Sequence, residues 1–578
     1  MVSLNSISGT IPPEISSLSK LIQLNLSTNQ IFGKIPERIG LVSDLQVLVL
    51  SNNKLNGSIP KEIGYLASLT ELDVHANSLG GPIPTSLGNL TNLAYLHLEI
   101  NSLSGLIPLE MGNLSELVEH YLNNNTLNGP IPSSFEADAL LQWKASLQND
   151  PNKVLSSWTY KPNNNSFNSS TKTQPSTTTP CTTWFGISCD IAGNVIGINL
   201  TNCGLEGTLQ NFSFSSFPNL AYFDLSLNSI SGTLPPEISS LSKLIQLNLS
   251  TNQIFGKIPE QIGLLSDLQV LVLSNNKLNG SIPKEIGYLA SLTELDVHAN
   301  SLGGPIPTSL GNLTNLAYLH LEINSFSGFI PLEMGNLSEL IELYLNNNTL
   351  KGPIPSSFGN FKKLKVLSIF QNQLSGAIPR EIGNLISLKE LRLHSSNLSG
   401  PIPESLYDLR NLSYIHLQRN QLSGPISEEI GKLKSLIGLE IYENKLNGSF
   451  PISIGNLTKL QILYIRDNYF SGSIPKSIEN LRDLAVLRVA RNNFTGYLPE
   501  NICQGGKLQY FTANGNYDLI GPMPKSLRNC TSLVRVRLDG NQFTGNLSEA
   551  FGVYPDLDYI NLSNNTFYGE ISKDWGSW

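Results

Sequence analysis

The sequence predicts an α/β solenoid: a curved stack of short coils with a parallel β-sheet on the concave side and irregular or 3-10 backbone on the convex side. Three observations carry that expectation. Leucines recur with a period of about 24 residues through most of the 578-residue chain. Within each period two of them flank one polar residue, as in Leu247-Asn248-Leu249. Charged residues are 14% of the chain, well below the roughly 25% usual for soluble domains, so Asn, Ser and Thr must carry the polar surface.

The repeat explains each element in turn. LSKLIQLNLSTNQIFGKIPEQIGL begins at Leu241 and LSDLQVLVLSNNKLNGSIPKEIGY follows from Leu265. The Leu-x-Leu alternation has period two, the signature of a short strand with one face buried. Asn252 ends that strand, where its amide can satisfy backbone groups of the turn and stack as a ladder from coil to coil. Ile254 and Ile258 return to the core. Gly256 permits a bend, and Pro259 keeps its segment from pairing as a central strand. A single unit cannot bury its own leucines, but a dozen or more stacked units share one core, each buried Leu or Ile contributing roughly 1.5–3 kcal/mol. A helical repeat is excluded because the spacing around Leu-x-Leu never sustains a 3.6-residue period.

The Gly-x-Ile-Pro half of the unit (Gly280-Ser281-Ile282-Pro283, Gly376-Ala377-Ile378-Pro379) resembles the plant-specific leucine-rich repeat of receptor-like kinases and receptor-like proteins. The resemblance covers nearly the whole chain and implies a leucine-rich-repeat horseshoe.

The period breaks between Glu136 and Leu200. Asp138 to Leu147 (DALLQWKASL) reads as an amphipathic helix with Asp138 as its cap. Leu155-Ser-Ser-Trp158 follows, then a Pro/Asn/Ser/Thr-rich stretch at about 161–180 that reads as a mobile loop. The block resembles the N-terminal cap of the same receptors, which implies a Cys181–Cys189 disulfide. Residues 1–135 match 224–358 with ten differences at a shift of 223. The expected organisation is therefore an uncapped first array (1–135), a cap (136–196) and a main array of about 15–16 repeats (197–578). It reads as a tandem duplication joined by a gene-model or splicing event, with a genuine double solenoid as the alternative. His120 takes the core position of Leu343, at an expected cost of a few kcal/mol. No signal peptide, membrane span, terminal cap or kinase domain is legible, so the chain reads as part of a longer receptor ectodomain.

Composition narrows the function classes. Net charge is −8 with no Lys/Arg cluster, which removes the footprint of nucleic-acid binding. Five cysteines are too few to be what folds the chain. Signatures such as HExxH, GxSxG, the P-loop and CxxC are absent, and neither cofactor nor metal is expected.

Residues flanking the strand leucines should face the concave side, one strand spacing of roughly 4.8 Å apart. The candidate ligand-binding set is Asp296, His298, His320, Glu322, Tyr344, Phe370, Arg392, His394, His416, Tyr442, Tyr464, Arg466, Arg488, Arg535 and Arg537, with Arg419, Glu440 and Arg491 beside them. A ladder of aromatics and charges suits an extended peptide; a solvated face with no ligand explains the same residues. Asp296, His298, His320 and Glu322 suggest a metal or acid–base site only weakly, because strand residues two apart are expected to stand about 6.5–7 Å apart. A histidine-based pH effect on binding is the better expectation. Arg535-Val536-Arg537 resembles the Arg-x-Arg pair with which plant peptide-hormone receptors hold a ligand carboxylate, a task suited to the guanidinium fork; an ordinary surface pair is the competing reading.

Cys503 and Cys530, about one repeat apart, either pair across neighbouring coils or remain two buried thiols. Cys203 replaces the ladder asparagine of its repeat. Numerous Asn-x-Ser/Thr sequons, with Asn312, Asn336, Asn411 and Asn456 as candidates, fit a secreted glycoprotein. A sugar on Asn248 or Asn561 would block the concave face. The resemblance implies a secreted peptide or protein ligand, a leucine-rich-repeat co-receptor kinase and a location at the extracellular face of the plasma membrane. A kinase-less receptor-like protein, a secreted inhibitor and an inert pseudogene product are the alternatives.

Overall fold

The computed structural model describes residues 5–108, 110–111, 114, 116–128, 133–159 and 180–571, with backbone only at 133–135. The loop expected at 161–180 lies outside the described residues except for Pro180, as does the Trp575–Trp578 terminus. The chain divides into two units, 1–223 and 224–578.

In the second unit the Leu-x-Leu segments form a parallel sheet in strict chain order, from Gln246–Asn248 to Tyr559–Asn561. Register places leucine beside leucine: Leu247 pairs with Leu271, Leu271 with Leu295 and Leu295 with Leu319. Those leucines, and the isoleucines returning from the far side of each coil such as Ile262 and Ile286, are fully buried. This is the continuous core that the 24-residue period requires.

The asparagine ladder forms as expected. Asn276 accepts a hydrogen bond at Oδ1 from the Ile254 N–H, 3.0 Å away. Its Nδ2 donates to the carbonyls of Leu249 and Leu273 at 2.9 and 3.1 Å. One amide thus satisfies backbone groups of two coils in the interior, where unpaired groups are costly.

A second set of parallel strands, not anticipated from the sequence, runs along the flank. Gln253–Gly256 pairs with Lys277–Gly280 and the series continues to Thr566–Tyr568. Pro259 does not prevent it, because the strand ends three residues earlier. The convex side consists of five-residue 3-10 turns such as Glu260–Leu264 and Lys284–Tyr288. Glycine is required at Gly287, where a Cβ would lie 2.4 Å from the Ser309 carbonyl oxygen of the next coil, although Ser239, Tyr407 and Glu479 hold the same position in other turns.

The first unit repeats this architecture from Gln23–Asn25 to Glu119–Tyr121. Leu18 is 52% exposed, whereas Leu241, its counterpart in the duplicated segment, is fully buried. A coil leucine is buried only when a coil stacks on its N-terminal side. His120 is half-buried on the last strand of this sheet rather than enclosed, and burial lowers its pKa to about 4.

The cap belongs to the first unit. Its helix spans Ser133–Ser146 and begins five residues before Asp138, so Asp138 is internal and is not the cap. The same Pro-Ser-Ser-Phe tetrapeptide starts a 3-10 turn at Ser356–Asn360. What differs is the continuation: Gly359-Asn360 there, and the helix-favouring Glu136-Ala137-Asp138-Ala139-Leu140-Leu141 here. The buried Trp143 donates its Nε1–H to the Thr208 carbonyl at 2.9 Å. Trp158 stacks on Trp184 with ring centroids 5.5 Å apart, and Phe212 meets Trp143 edge-on at 5.3 Å. Cys181 and Cys189 are disulfide-bonded, with Cα atoms 5.5 Å apart.

Candidate ligand-binding face

Strand register converts the sequence columns into a continuous row. Asp296 pairs with His320, His320 with Tyr344, Tyr344 with Ser368 and Ser368 with Arg392. Arg392 pairs with His416, His416 with Glu440, Glu440 with Tyr464, and Tyr464 with Arg488. Thr512 and Arg537 extend the row. A second row lies two residues further along each coil and holds His298, Glu322, Phe370, His394, Tyr442 and Arg466. Every candidate lies on this face, on or just past a strand whose leucines anchor it in the core.

The two rows interact, which overturns the expectation that residues two apart on a strand stand clear of one another. His298 Nδ1 lies 2.7 Å from Asp296 Oδ1, and the His298 N–H donates to the same oxygen at 3.0 Å. Backbone spacing sets the distance between Cα atoms, but both side chains project to one face and lean together. The Asp296 hydrogen bond raises the His298 pKa above its ordinary value. No group of three or more metal-ligating side chains is assembled among the described residues.

Around this pair the face is acidic and imidazole-rich. His320 meets the Tyr344 ring edge-on at 4.9 Å and has Nε2 3.6 Å from Glu342 Oε2. Burial raises the Glu322 pKa, and its Oε2 is buried without a partner. Phe370 stacks on His394 at 4.2 Å. Burial and the neighbouring His416 lower the His394 pKa to about 4, so it stays neutral in the range where His298 titrates. His416 stands between Glu390 and Glu440, 3.7 and 3.5 Å away.

Further along, aromatic and guanidinium groups alternate. Tyr442 and Tyr464 stack at 4.2 Å, and the Arg466 guanidinium lies 4.8 Å from the first ring and 5.3 Å from the second. Arg466 is held by Glu443 at 2.7 Å and by Asp467. Arg392 pairs with Glu390 at 2.7 Å and Arg419 with Glu443 at 3.2 Å. Arg537 is engaged by both carboxylate oxygens of Asp539, each at 3.2 Å, and Arg535 lies 4.4 Å from the Tyr559 ring. Arg535 and Arg537 therefore share the face but not an environment. The partner acids Glu390, Glu443, Asp467 and Asp539 were not singled out from the sequence. Their signal is there: each lies within two residues of an arginine, or one repeat from it.

Cys503 and Cys530 are joined, with Cα atoms 5.9 Å apart, so the two-thiol alternative does not hold; Cys203 is buried. Asn312, Asn336, Asn411 and Asn456 are exposed, on or just after the convex 3-10 turns and away from the candidate rows. Asn248 does face the sheet side, where its Nδ2 donates to Asp224 at 3.1 Å.

Comparison with known proteins agrees with this architecture. A leucine-rich-repeat region profile matches residues 198–328 and 307–421, and a leucine-rich-repeat N-terminal domain profile matches 133–190. A single-repeat profile matches 44–66, 68–90, 411–433 and 459–481. The chain carries leucine-rich repeats and a leucine-rich-repeat N-terminal domain. It is 52% identical over 109 residues to MDIS1-interacting receptor like kinase 2 of Arabidopsis thaliana, a match covering 19% of this chain and 9% of that protein. A probable leucine-rich repeat receptor-like protein kinase of the same plant is 45% identical over 105 residues, 18% of this chain and 8% of its own length. The matches thus span under a tenth of these relatives.

Among solved structures, the Arabidopsis receptor kinase HAESA, in complex with the peptide hormone IDA and the co-receptor SERK1, superposes with a TM-score of 0.59 at 28% identity. That match covers 99% of this chain and 84% of HAESA. The plant peptide hormone receptor RGFR1, in complex with RGF2, gives 0.56 at 28% identity, covering 98% and 93%. Among the described residues no helix is long and apolar enough to cross a membrane.

Proposed function

We propose that this chain is the extracellular ligand-recognition part of a plant receptor kinase and that it binds an extended peptide along the concave rows from Asp296 to Arg537. The observation that carries this reading is the continuity of the rows. Polar and aromatic side chains at one strand spacing offer a partner at every step, which suits a chain with its own regular backbone. The peptide complexes of HAESA and RGFR1 support the choice of ligand class. By the same likeness, bound ligand recruits a shorter co-receptor at the plasma membrane, and signalling passes to a kinase carried by sequence beyond this segment.

The test is selection of a random dodecapeptide library on the full chain, followed by titration of a recovered peptide. Tyr464→Ala and Tyr344→Ala are expected to weaken binding at least tenfold each, since a stacked aromatic anchor is the usual centre of a binding surface. Lys284→Ala on the convex side is expected to change nothing. Peptides that bind the Tyr variants and the parent chain equally refute the proposal.

A further inference from the structure

Seven arginines occupy the concave strands and the residues just after them. Five hold a carboxylate: Arg392, Arg419, Arg466, Arg491 and Arg537 pair with Glu390, Glu443, Glu443, Asp467 and Asp539 respectively. Among the described residues Arg488 and Arg535 do not. Arg488 is the more demanding case. It is half-buried between the rings of Tyr464 and Tyr510, 4.8 and 5.6 Å from its guanidinium carbon, and its Nη1 donates to the Tyr464 hydroxyl at 3.0 Å. Its Nε is buried with no acceptor.

The acids that could serve it are committed elsewhere. Asp467 is taken by Arg466 and Arg491, and Asp539 by Arg537. The second-row residue of its own coil is Ala490, too short to reach the guanidinium, while both neighbouring second-row positions carry longer polar side chains, Arg466 and Asn514. A planar five-donor cation fixed between two aromatic faces, with a buried donor unmet and a small neighbour beside it, is built for a group that is not part of the chain.

We infer that Arg488 is an anion subsite that receives an oxyanion of the ligand, with Arg535 two coils further on extending the positive field. This deepens the peptide-binding reading only in taking the concave face as the ligand surface. Carboxylate, sulfate ester and phosphate ester share the required chemistry. An oxyanion would meet the guanidinium through its Nη groups, and tyrosine stacking would keep the fork oriented without competing for its charge.

Small anions test the subsite without any peptide. Acetate, methyl sulfate and methyl phosphate are titrated into the full chain at constant ionic strength, with binding read by ligand-observed NMR. At least one is expected to bind saturably, and the tightest identifies the oxyanion. Arg488→Gln is expected to weaken that anion tenfold or more and Arg488→Lys by a smaller factor, since lysine keeps the charge and loses the fork. Arg380→Gln, which removes a paired arginine on the convex side, is expected to leave it within twofold. No saturable binding of any anion overturns the inference, as does an equal loss in Arg380→Gln. Because the peptide is absent, failure here leaves the binding of selected peptides to be judged separately, and success here does not depend on it.

Discussion

The asparagine ladder permits a quantitative prediction because the chain carries a natural gap in it. Position 396 holds serine where the other coils of the second unit hold asparagine; its Oγ is buried without a partner, and no side-chain amide reaches the Leu374 N–H. The gap changes what its neighbour Asn372 must do. Asn372 accepts from the Leu350 N–H at 3.0 Å and donates to the carbonyls of Leu345 and Ile369 at 3.0 and 2.9 Å. The Leu345 carbonyl also receives Asn348, but no amide of the next coil reaches Ile369. Asn444 is the matched control, 8% exposed against 9% for Asn372. Both carbonyls it serves have a second amide: Leu417 receives Asn420, and Ile441 receives Asn468.

Asn444→Ala therefore orphans one buried group, the Leu422 N–H, at about 1–3 kcal/mol. Asn372→Ala orphans two, the Leu350 N–H and the Ile369 carbonyl, at about 2–6 kcal/mol by the same rule. Native-state hydrogen exchange of the affected strands reads each cost locally, which suits a solenoid whose unfolding need not be two-state. Adding Ser396→Asn is expected to stabilise the parent chain and to bring the cost of Asn372→Ala down to that of Asn444→Ala. Equal costs for the two alanine variants, or no rescue by Ser396→Asn, would refute the ladder argument.

Two further outcomes concern the cap and the convex side. Glu136 is fully buried; burial pushes its pKa up to about 7, although one oxygen accepts the Val195 N–H at 2.9 Å. A folded-state pKa above the unfolded value of about 4.5 means the folded cap binds the proton more tightly. The cap is then most stable below about pH 4.5 and loses on the order of 3 kcal/mol as pH rises through 7. Tryptophan-monitored unfolding between pH 4.5 and 7.5 should show that loss, and Glu136→Gln should remove it. On the convex side, Gly287→Ala should cost at least about 2 kcal/mol, because backbone rather than a flexible side chain blocks the new methyl; a midpoint in denaturant equal to that of the parent would contradict the close-packing account.

The fold was legible because its cause is local and repeated. Leu247 and Leu249 state which face is buried, and the same statement recurs every two dozen residues. The flank strands were less legible, since Gln253–Gly256 alternates weakly and pairs only because stacking brings successive coils into register. Asp138 looks like a helix cap because a cap is recognised from the residues after it, while the helix starts at Ser133, in the stretch that the repeat pattern assigns to the first array. Periodicity alone places the candidate residues together on one face of the sheet. It does not give their pairing, because whether Asp296 touches His298, or Asp467 holds Arg466, depends on side-chain lean and on neighbours a repeat away.

The most direct test of the central claim is to map where a bound ligand lies. A library-selected peptide carrying a photoreactive residue is cross-linked to the full chain and the adducts are located by mass spectrometry. Adducts on the concave rows between Asp296 and Arg537 are the predicted result. Adducts concentrated on the convex 3-10 turns, such as Lys284–Tyr288 or Thr308–Asn312, would contradict it.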